Sequence, residues 1–289
     1  MSMTALEPSL RVDLETLLHT AICAARKAGV IQHDHFRKDL KVAESEQHDI
    51  KLVVDRLCEQ AIIDEIQQVF PDHAILGEES GVIESDSPYV WIIDPLDGTV
   101  NYYHGIPYYC TSVSCYRREE TPDGEFASDD IGQPLVGVIY SEQTDELFTA
   151  ARGQGARFNG RMLYCPQVES LSHAIVSLSV GSTPEIQRYS TQLISELAPK
   201  VRKIRSCGAT ALDLVNVAAG RFHGLIQRRV RSWDIAAASL ILMEAGGRLE
   251  LNATGPHRWD IVAAEASLIG QLTDIAESAL VVSQSVPSR

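Results

Sequence analysis

Apolar positions along this 289-residue chain repeat with helical spacing in some stretches and stand in short unbroken runs in others, which divides it into mixed helices and strands. From Val12 to about Phe36, Leu14, Leu17, Leu18, Ile22, Ala25 and Val30 fall near helical spacing and predict a long amphipathic helix. Leu57, Ala61, Ile62, Ile66 and Val69 predict a second helix, with Pro71 as its stop. Bulky and β-branched runs at 74–76, 89–93, 109–116, 135–140 and 146–150 read as strands. Around Thr121-Pro122-Asp123-Gly124 the chain is polar and reads as a loop.

The second half repeats the alternation. A strand over 174–180 leads to Thr183-Pro184-Glu185, the cap, proline and acid of a helix start, and that helix runs to about Leu197. Cys207-Gly208-Ala209-Thr210-Ala211 opens another helix, which ends at Gly220, and 222–227 predicts a strand that feeds Arg228-Arg229-Val230-Arg231. Asp234 is placed to start a helix over 235–244, which Gly246-Gly247 ends. Strands over 248–251 and 261–264 and a helix over 268–280 close the chain, with no internal repeat or low-complexity tract.

Length and composition narrow the class. The chain can bury a full core as one large domain or two closely joined ones. With 45% hydrophobic and 22% charged residues it reads as soluble and globular, and no apolar run approaches the ~18 residues of a membrane span. Residues 1–8 lack a basic segment followed by an apolar core, so the cytoplasm is the expected location. Six scattered cysteines form no C-x-x-C pair and read as free, mostly buried thiols. A net charge of −14 argues against nucleic acid as the main partner. It leaves a phosphorylated small molecule open, because bound divalent ions reverse the local field where acids cluster.

The chemistry concentrates in Trp91-Ile92-Ile93-Asp94-Pro95-Leu96-Asp97-Gly98-Thr99-Val100-Asn101. An apolar strand ends in two carboxylates three apart, with Pro95 expected to stop the ladder, Gly98 to turn the chain and Thr99 to cap the next segment. Two carboxylates, the Leu96 carbonyl, a hydroxyl and free amides make an oxygen-rich cage for a hard cation with an anion beside it. A plain solvated turn satisfies the same spacing. Acids at Gly77-Glu78-Glu79-Ser80 and Ser232-Trp233-Asp234 favour the cage. His33 and His35 read as exposed polar positions, and Gly153-Gln154-Gly155 as a turn, since no third glycine or βαβ pattern follows.

Trp91 to Asn101, with Trp233-Asp234-Ile235-Ala236-Ala237-Ala238 and Glu244-Ala245-Gly246-Gly247, resembles the paired signature of the inositol monophosphatase family of lithium-sensitive, metal-dependent phosphomonoesterases. The resemblance runs from about residue 15 to 280. It implies an α/β (α+β) fold of layered αβαβα type, Mg²⁺ as cofactor with Mn²⁺ as a substitute, and a homodimer. The single catalytic unit would divide into a metal-binding half over about 10–165 and a substrate-binding half over about 166–289. Glu78, Asp94 and the Leu96 carbonyl would hold one ion, and Asp94, Asp97 and Asp234 a second. Glu78 and Thr99 would orient the attacking water, Asp55 would assist it or a metal, and Glu79 would support Glu78 from behind. Asp97 and the amides of Gly98 and Thr99 would face the phosphate, while Gly208, Ala209, Thr210 and Gln227 would line the organic half of the substrate. Taken alone, Asp55 reads as the N-cap of the helix that follows, and Gly208 as a helix-packing position.

The chain departs from the family pattern at two places. Lys41 to Val54 resembles the family's first hairpin, with Asp49 and Asp55 suitably spaced, but Glu44 stands where many relatives carry lysine. Seven residues before Asp234, where glutamate is common, stands Gln227, trailed by Arg228, Arg229 and Arg231. An amide does not repel a second anionic group, so one of these arginines could meet an extra phosphate or carboxylate; facing solvent or a dimer partner is the other reading. The expected activity is hydrolysis of a small phosphorylated polyol, inositol monophosphate first. Fructose-1,6-bisphosphatase, 3′(2′),5′-bisphosphate nucleotidase and histidinol-phosphatase activities are the alternatives, and a regulatory binding protein that keeps the fold is the non-enzymatic one.

Overall fold

A computed structural model describes residues 13–38, 42–45, 50–118 and 132–285. The elements in chain order are α1 (Leu14–His35), β1 (Val42–Ser45), β2 (Ile50–Leu52), α2 (Val53–Val69), β3 (Ala74–Gly77), β4 (Gly81–Ile83), β5 (Tyr89–Asp97), α3 (Thr99–Tyr103), β6 (Cys110–Arg117) and β7 (Gln133–Ser141). They continue with β8 (Glu146–Ala151), β9 (Ala156–Phe158), β10 (Arg161–Leu163), β11 (Ile175–Leu178), α4 (Pro184–Leu197), β12 (Lys203–Arg205) and α5 (Thr210–Ala218). The last are β13 (Gly224–Arg231), α6 (Ser232–Glu244), β14 (Arg248–Gly255), β15 (Arg258–Ala264) and α7 (Ile269–Ser285). Asp49 and the 121–124 loop lie outside the described residues, and among the described residues no helix is long and apolar enough to cross a membrane.

Two sheets carry the core. The larger has eight strands in the order β10-β9-β8-β7-β6-β5-β3-β4, and the smaller five in the order β12-β11-β13-β15-β14. Leu17, Ala21, Ala24 and Ala28 of α1 and Cys58, Ile62 and Ile66 of α2 cover one face of the larger sheet through Trp91, Ile93, Val113 and Val136. Its other face meets α5 and α6, which also cover Leu225, Ile261 and Ala263 of the smaller sheet. The far face of that sheet is closed by α4 and α7 through Tyr189, Leu193, Leu272 and Ile275. The result is the layered αβαβα sandwich. Its middle layer explains α6, which is apolar nearly all round because it is buried between sheets.

The structure corrects four local expectations. Pro95 does not stop the ladder: β5 continues to Asp97, with a bulge opposite β6 between Asp94, paired with Ser112, and Asp97, paired with Cys110. Thr99 is not the cap, since Gly98 takes that position at φ 96°. Asp55 is not the N-cap of α2, which begins at Val53, and Asp234 does not start α6, which begins at Ser232. Each of these acids lies at the third helical position and accepts from the residue that precedes the helix, Leu52 N to Asp55 Oδ2 at 2.6 Å and Arg231 N to Asp234 Oδ2 at 2.9 Å. A carboxylate there satisfies one of the orphan amides of the first turn.

Candidate active site

The bulge in β5 decides the site. Side chains alternate along a strand, so residues three apart face opposite ways, and one extra residue in the strand restores them to the same side. Asp94 and Asp97, both buried, are thereby directed together at the carboxyl end of β5. Asp94 Oδ1 accepts from Leu96 N at 3.0 Å, and Thr99 Oγ1 donates to the Leu96 carbonyl at 3.0 Å. Asp97 is held from the other half of the chain: Thr210 N donates to Oδ1 at 3.2 Å and Ala211 N to Oδ2 at 2.7 Å, both from the start of α5. Gly98 must be glycine. Besides its left-handed φ, a Cβ there would come within 2.9 Å of the Tyr108 carbonyl oxygen and 3.2 Å of Ala209 Cβ.

Glu78 joins from the turn after β3. Burial first, then the Asp234 charge, drives its pKa well up, and it hydrogen-bonds Asp94. Asp94 is driven the same way by burial, then by Glu78, Asp97 and Asp234. Asp97 is pushed up to about 8 by burial and Asp234, against the opposing pull of the Ala211 and Thr210 amides. Glu78, Asp94 and Asp97 thus share one desolvated volume beside the Asp234 charge, and burial with mutual repulsion raises the pKa of all three.

Among the described residues no three His, Cys, Asp or Glu side chains stand as a formed metal-binding group. The donor chemistry nonetheless fits a hard divalent ion, because it consists of carboxylates, a main-chain carbonyl and a hydroxyl with no thiolate or imidazole among them.

The expected residues fall on both sides of this cleft. Asp55 lies near enough to add to the repulsion felt by Glu78, and Glu79 sits beside Arg56 at 3.7 Å. Gly208 and Ala209 approach the Gly98–Asn101 turn, where Asn101 Nδ2 donates to both the Tyr108 and Cys207 carbonyls at 2.8 Å. Thr210 Oγ1 donates to Gln227 Oε1 at 3.2 Å.

Three supporting residues were not foreseen. Glu59, buried in α2, accepts from Glu79 N at 2.9 Å and Ser80 N at 2.6 Å and so fixes the Glu78 turn. Buried Gln32 of α1 donates through Nε2 to the Pro95 carbonyl at 2.8 Å and to Thr111 Oγ1 at 2.9 Å, which fixes the bulge. Asp213 of α5 accepts from Tyr108 and Ser177 hydroxyls at 2.5 Å each. A signal existed for the first two, since each continues the buried stripe of its helix: Gln32 follows Ala21, Ala24, Ala25 and Ala28.

Arg228, Arg229 and Arg231 are not gathered at the cleft. Arg228 Nε is 2.9 Å from Asp260, its guanidinium lies 5.1 Å over the Tyr189 ring, and Arg229 is 3.6 Å from Glu185. Arg231 covers Trp233 at 5.5 Å.

A sequence model of the inositol monophosphatase family matches residues 13–284. Nus factor SuhB of Pasteurella multocida is 36% identical over 238 residues, covering 81% of this chain and 84% of that protein. Inositol monophosphatase 2 of Solanum lycopersicum is 36% identical over 242 residues, covering 81% of this chain and 86% of its own length. The crystal structure of extragenic suppressor protein suhB from Bartonella henselae superposes with a TM-score of 0.81 at 31% identity, over 91% of this chain and 98% of that one.

Proposed function

The chain belongs to the inositol monophosphatase family, and from that premise we propose that it is a Mg²⁺-dependent phosphomonoesterase acting on a small phosphorylated polyol, with inositol monophosphate as the first candidate. One observation carries this reading: Glu78, Asp94 and Asp97 meet in one desolvated cleft beside Asp234, where burial and the neighbouring charges raise the pKa of the first three. Glu78, Asp94 and the Leu96 carbonyl would hold one ion, and Asp94, Asp97 and Asp234 the other, with Mn²⁺ as a substitute. Bound there, the ions would neutralise the acids, make water more acidic and balance charge on the ester oxygens.

The rest falls to the protein. Glu78 and the Thr99 hydroxyl orient water for in-line attack on phosphorus, without a phosphoenzyme. Thr99 donates its own hydroxyl proton to Leu96 O, so its oxygen is left to accept one from the water. Asp55 supports that water from the start of α2. The amides of Gly98 and Thr99 receive phosphate oxygens, and pre-placed donors of this kind need no reorganisation as charge develops. Gly208, Ala209, Thr210 and Gln227 line the polyol. Homodimer formation, lithium inhibition and a cytoplasmic location belong to the same reading.

Replacing Asp94 by Asn tests it: phosphate release at saturating Mg²⁺ should fall by about 10³-fold or more. Near-normal turnover would remove the mechanism. The relatives named as Nus factors favour a second reading, in which the protein also acts through a protein partner. Magnesium-dependent turnover of any small phosphate ester separates an enzyme from a binding protein that merely keeps the fold.

A further inference from the structure

The cations at the end of β13 and the start of β15 fall into two groups. Arg228 and Arg229 have acids to meet, Asp260 at 2.9 Å from the first and Glu185 at 3.7 and 3.6 Å from the two guanidiniums. Arg231 and Arg258 make no ion pair among the described residues, in a chain whose 39 acids outnumber its 25 lysines and arginines. The strand pairing sets these two against each other. β13 and β15 are antiparallel with Arg231 opposite Arg258, so both side chains leave the same face with their Cβ atoms about 5 Å apart. Like charges directly opposite cost stability. Burial lowers the Arg258 pKa from its usual value, and the charges of Arg231 and Arg229 lower it further, which puts a third guanidinium within electrostatic reach. Neither partner of the pair swings clear into water, since both are half-buried and Arg231 lies 5.5 Å over the Trp233 ring.

The same corner holds an unsatisfied polar atom. His257, at φ 50°, precedes Arg258, and its carbonyl accepts from Ser232 N at 3.2 Å, which ties the β14–β15 hairpin to the residue after Arg231. Its Nδ1 is buried with no hydrogen-bond partner among the described residues. A buried ring nitrogen left unpaired costs free energy, and as an Nδ1–H donor it suits an oxygen acceptor. Two facing guanidiniums and a spare imidazole nitrogen are thus held together by the fold at a cost that an oxyanion would relieve.

Size and surroundings select the anion. Asp260 and Glu185 stand beside Arg228 and Arg229, and with the net charge of −14 they oppose a long polyanion such as nucleic acid. Two guanidinium forks opposite each other match one compact anion with several oxygens, because each fork presents paired N–H donors in a fixed plane.

We propose that Arg231 and Arg258, with His257 beside them, form a second anion site outside the acid cleft, which takes a compact phosphate-class anion such as orthophosphate or pyrophosphate. The site does not depend on the phosphomonoesterase reading, and its failure would leave that reading intact. The test is the melting temperature of the full chain, freed of metal on a chelating resin so that the acid cleft offers phosphate no cation. Sodium pyrophosphate is raised to low-millimolar concentration, with sodium chloride at matched ionic strength as the control. The wild-type chain should show a saturable rise of about 3–6 °C that chloride does not reproduce. Arg258→Ala and Arg231→Ala should each lose most of that rise, and Arg258→Lys should keep part of it. Arg157→Ala, at an exposed position on β9, should keep all of it. If Arg231→Ala does not fold, Arg258→Ala decides, since its backbone takes no part in the start of α6. No saturable rise, an equal rise in chloride, full retention in Arg258→Ala, or an equal loss in Arg157→Ala overturns the assignment.

Discussion

The bulge between Asp94 and Asp97 in the larger sheet and the one between Gln227 and Val230 in the smaller treat charge in opposite ways. In β5 the extra residue brings Asp94 and Asp97 to one side, where Glu78 and Asp234 join them and like charges add to one another. In β13 the irregularity between Gln227 and Val230 puts Arg229 at φ 56°, and Asp260 answers it twice, accepting from Arg228 Nε and Arg229 N at 2.9 Å each. Glu185 adds a partner for both guanidiniums. At β13 opposite charges meet, whereas at β5 like charges raise the pKa of Glu78, Asp94 and Asp97. A folded protein retains a group of mutually repelling buried acids at a cost in stability, which makes the first cluster the place to look for a ligand and the second a structural feature.

The sharpest way to break this comparison is to titrate stability without divalent ions. In the unfolded chain these carboxyls titrate near pH 4. In the folded one Asp97 is pushed up to about 8, and Glu78 and Asp94 are also raised. The native state therefore binds more protons across this window, and stability falls as pH rises. The Asp97 contribution is fully present below about pH 4 and is lost as pH rises through about 8, and those of Glu78 and Asp94 fall in the same direction. In EDTA, differential scanning fluorimetry should show the melting temperature dropping on the order of 10 °C between these limits, beyond the drift of a control with Asp94→Asn. Added Mg²⁺ should raise it most at the alkaline end. A flat profile in EDTA would mean that the acids repel each other far less than their burial implies.

A smaller effect is expected at the balanced cluster. Removing Arg228 leaves Asp260 and Glu185 facing each other's charge with one guanidinium between them, on side chains that are 12% and 20% exposed for Arg228 and Asp260. Arg228→Ala should cost about 2 kcal/mol, read as a fall of about 4–8 °C in melting temperature. Turnover of a monophosphate at saturating substrate should stay within about two-fold, since the far face of the sheet touches no part of the cleft. A large loss of kcat with the fold intact would place this cluster in the catalytic machinery and dissolve the contrast.

The contrast also marks what the sequence could reveal. The acids and the layered fold were legible because long motifs fix both the residue types and their order. The bulge was not, because proline after an acid reads as the end of a strand, and only the pairing of Asp94 with Ser112 and Asp97 with Cys110 exposes the extra residue. The sequence places the helix starts at Asp55 and Asp234 two or more residues late, since an acid at the third helical position and an acid at the cap look alike without knowing which amide each accepts. The arginines after Gln227 group by adjacency in the sequence, although Gln227 meets Thr210 of α5 while Arg228 meets Glu185 of α4 on the opposite face. Glu59 and Gln32 were passed over as polar positions on amphipathic helices, while their neighbours at three- and four-residue spacing already defined the buried side.

Gln32 supplies the finest test, because it holds the bulge without belonging to the acid set. Its Nε2 bonds the Pro95 carbonyl at 2.8 Å, and Thr111 Oγ1 approaches the same oxygen at 3.3 Å. Its own Oε1 is buried with no hydrogen-bond partner among the described residues. Replacing it by Leu removes one donor from the bulge and also one unsatisfied acceptor, so the two costs offset and global stability should change by less than about 1 kcal/mol. The Pro95 carbonyl would then rest on Thr111 alone, and the next carbonyl along the chain, that of Leu96, is the oxygen proposed to hold the first ion. Gln32→Leu should therefore raise the Mg²⁺ concentration for half-maximal thermal stabilisation by about three- to ten-fold, the size expected for loss of a supporting hydrogen bond behind a ligand. Measured by melting temperature against Mg²⁺, the curve should shift to higher concentration with its metal-free limit nearly unmoved. If instead the metal-free limit collapses and the midpoint stays, Gln32 serves the core, and the geometry of the bulge is fixed by the strands themselves.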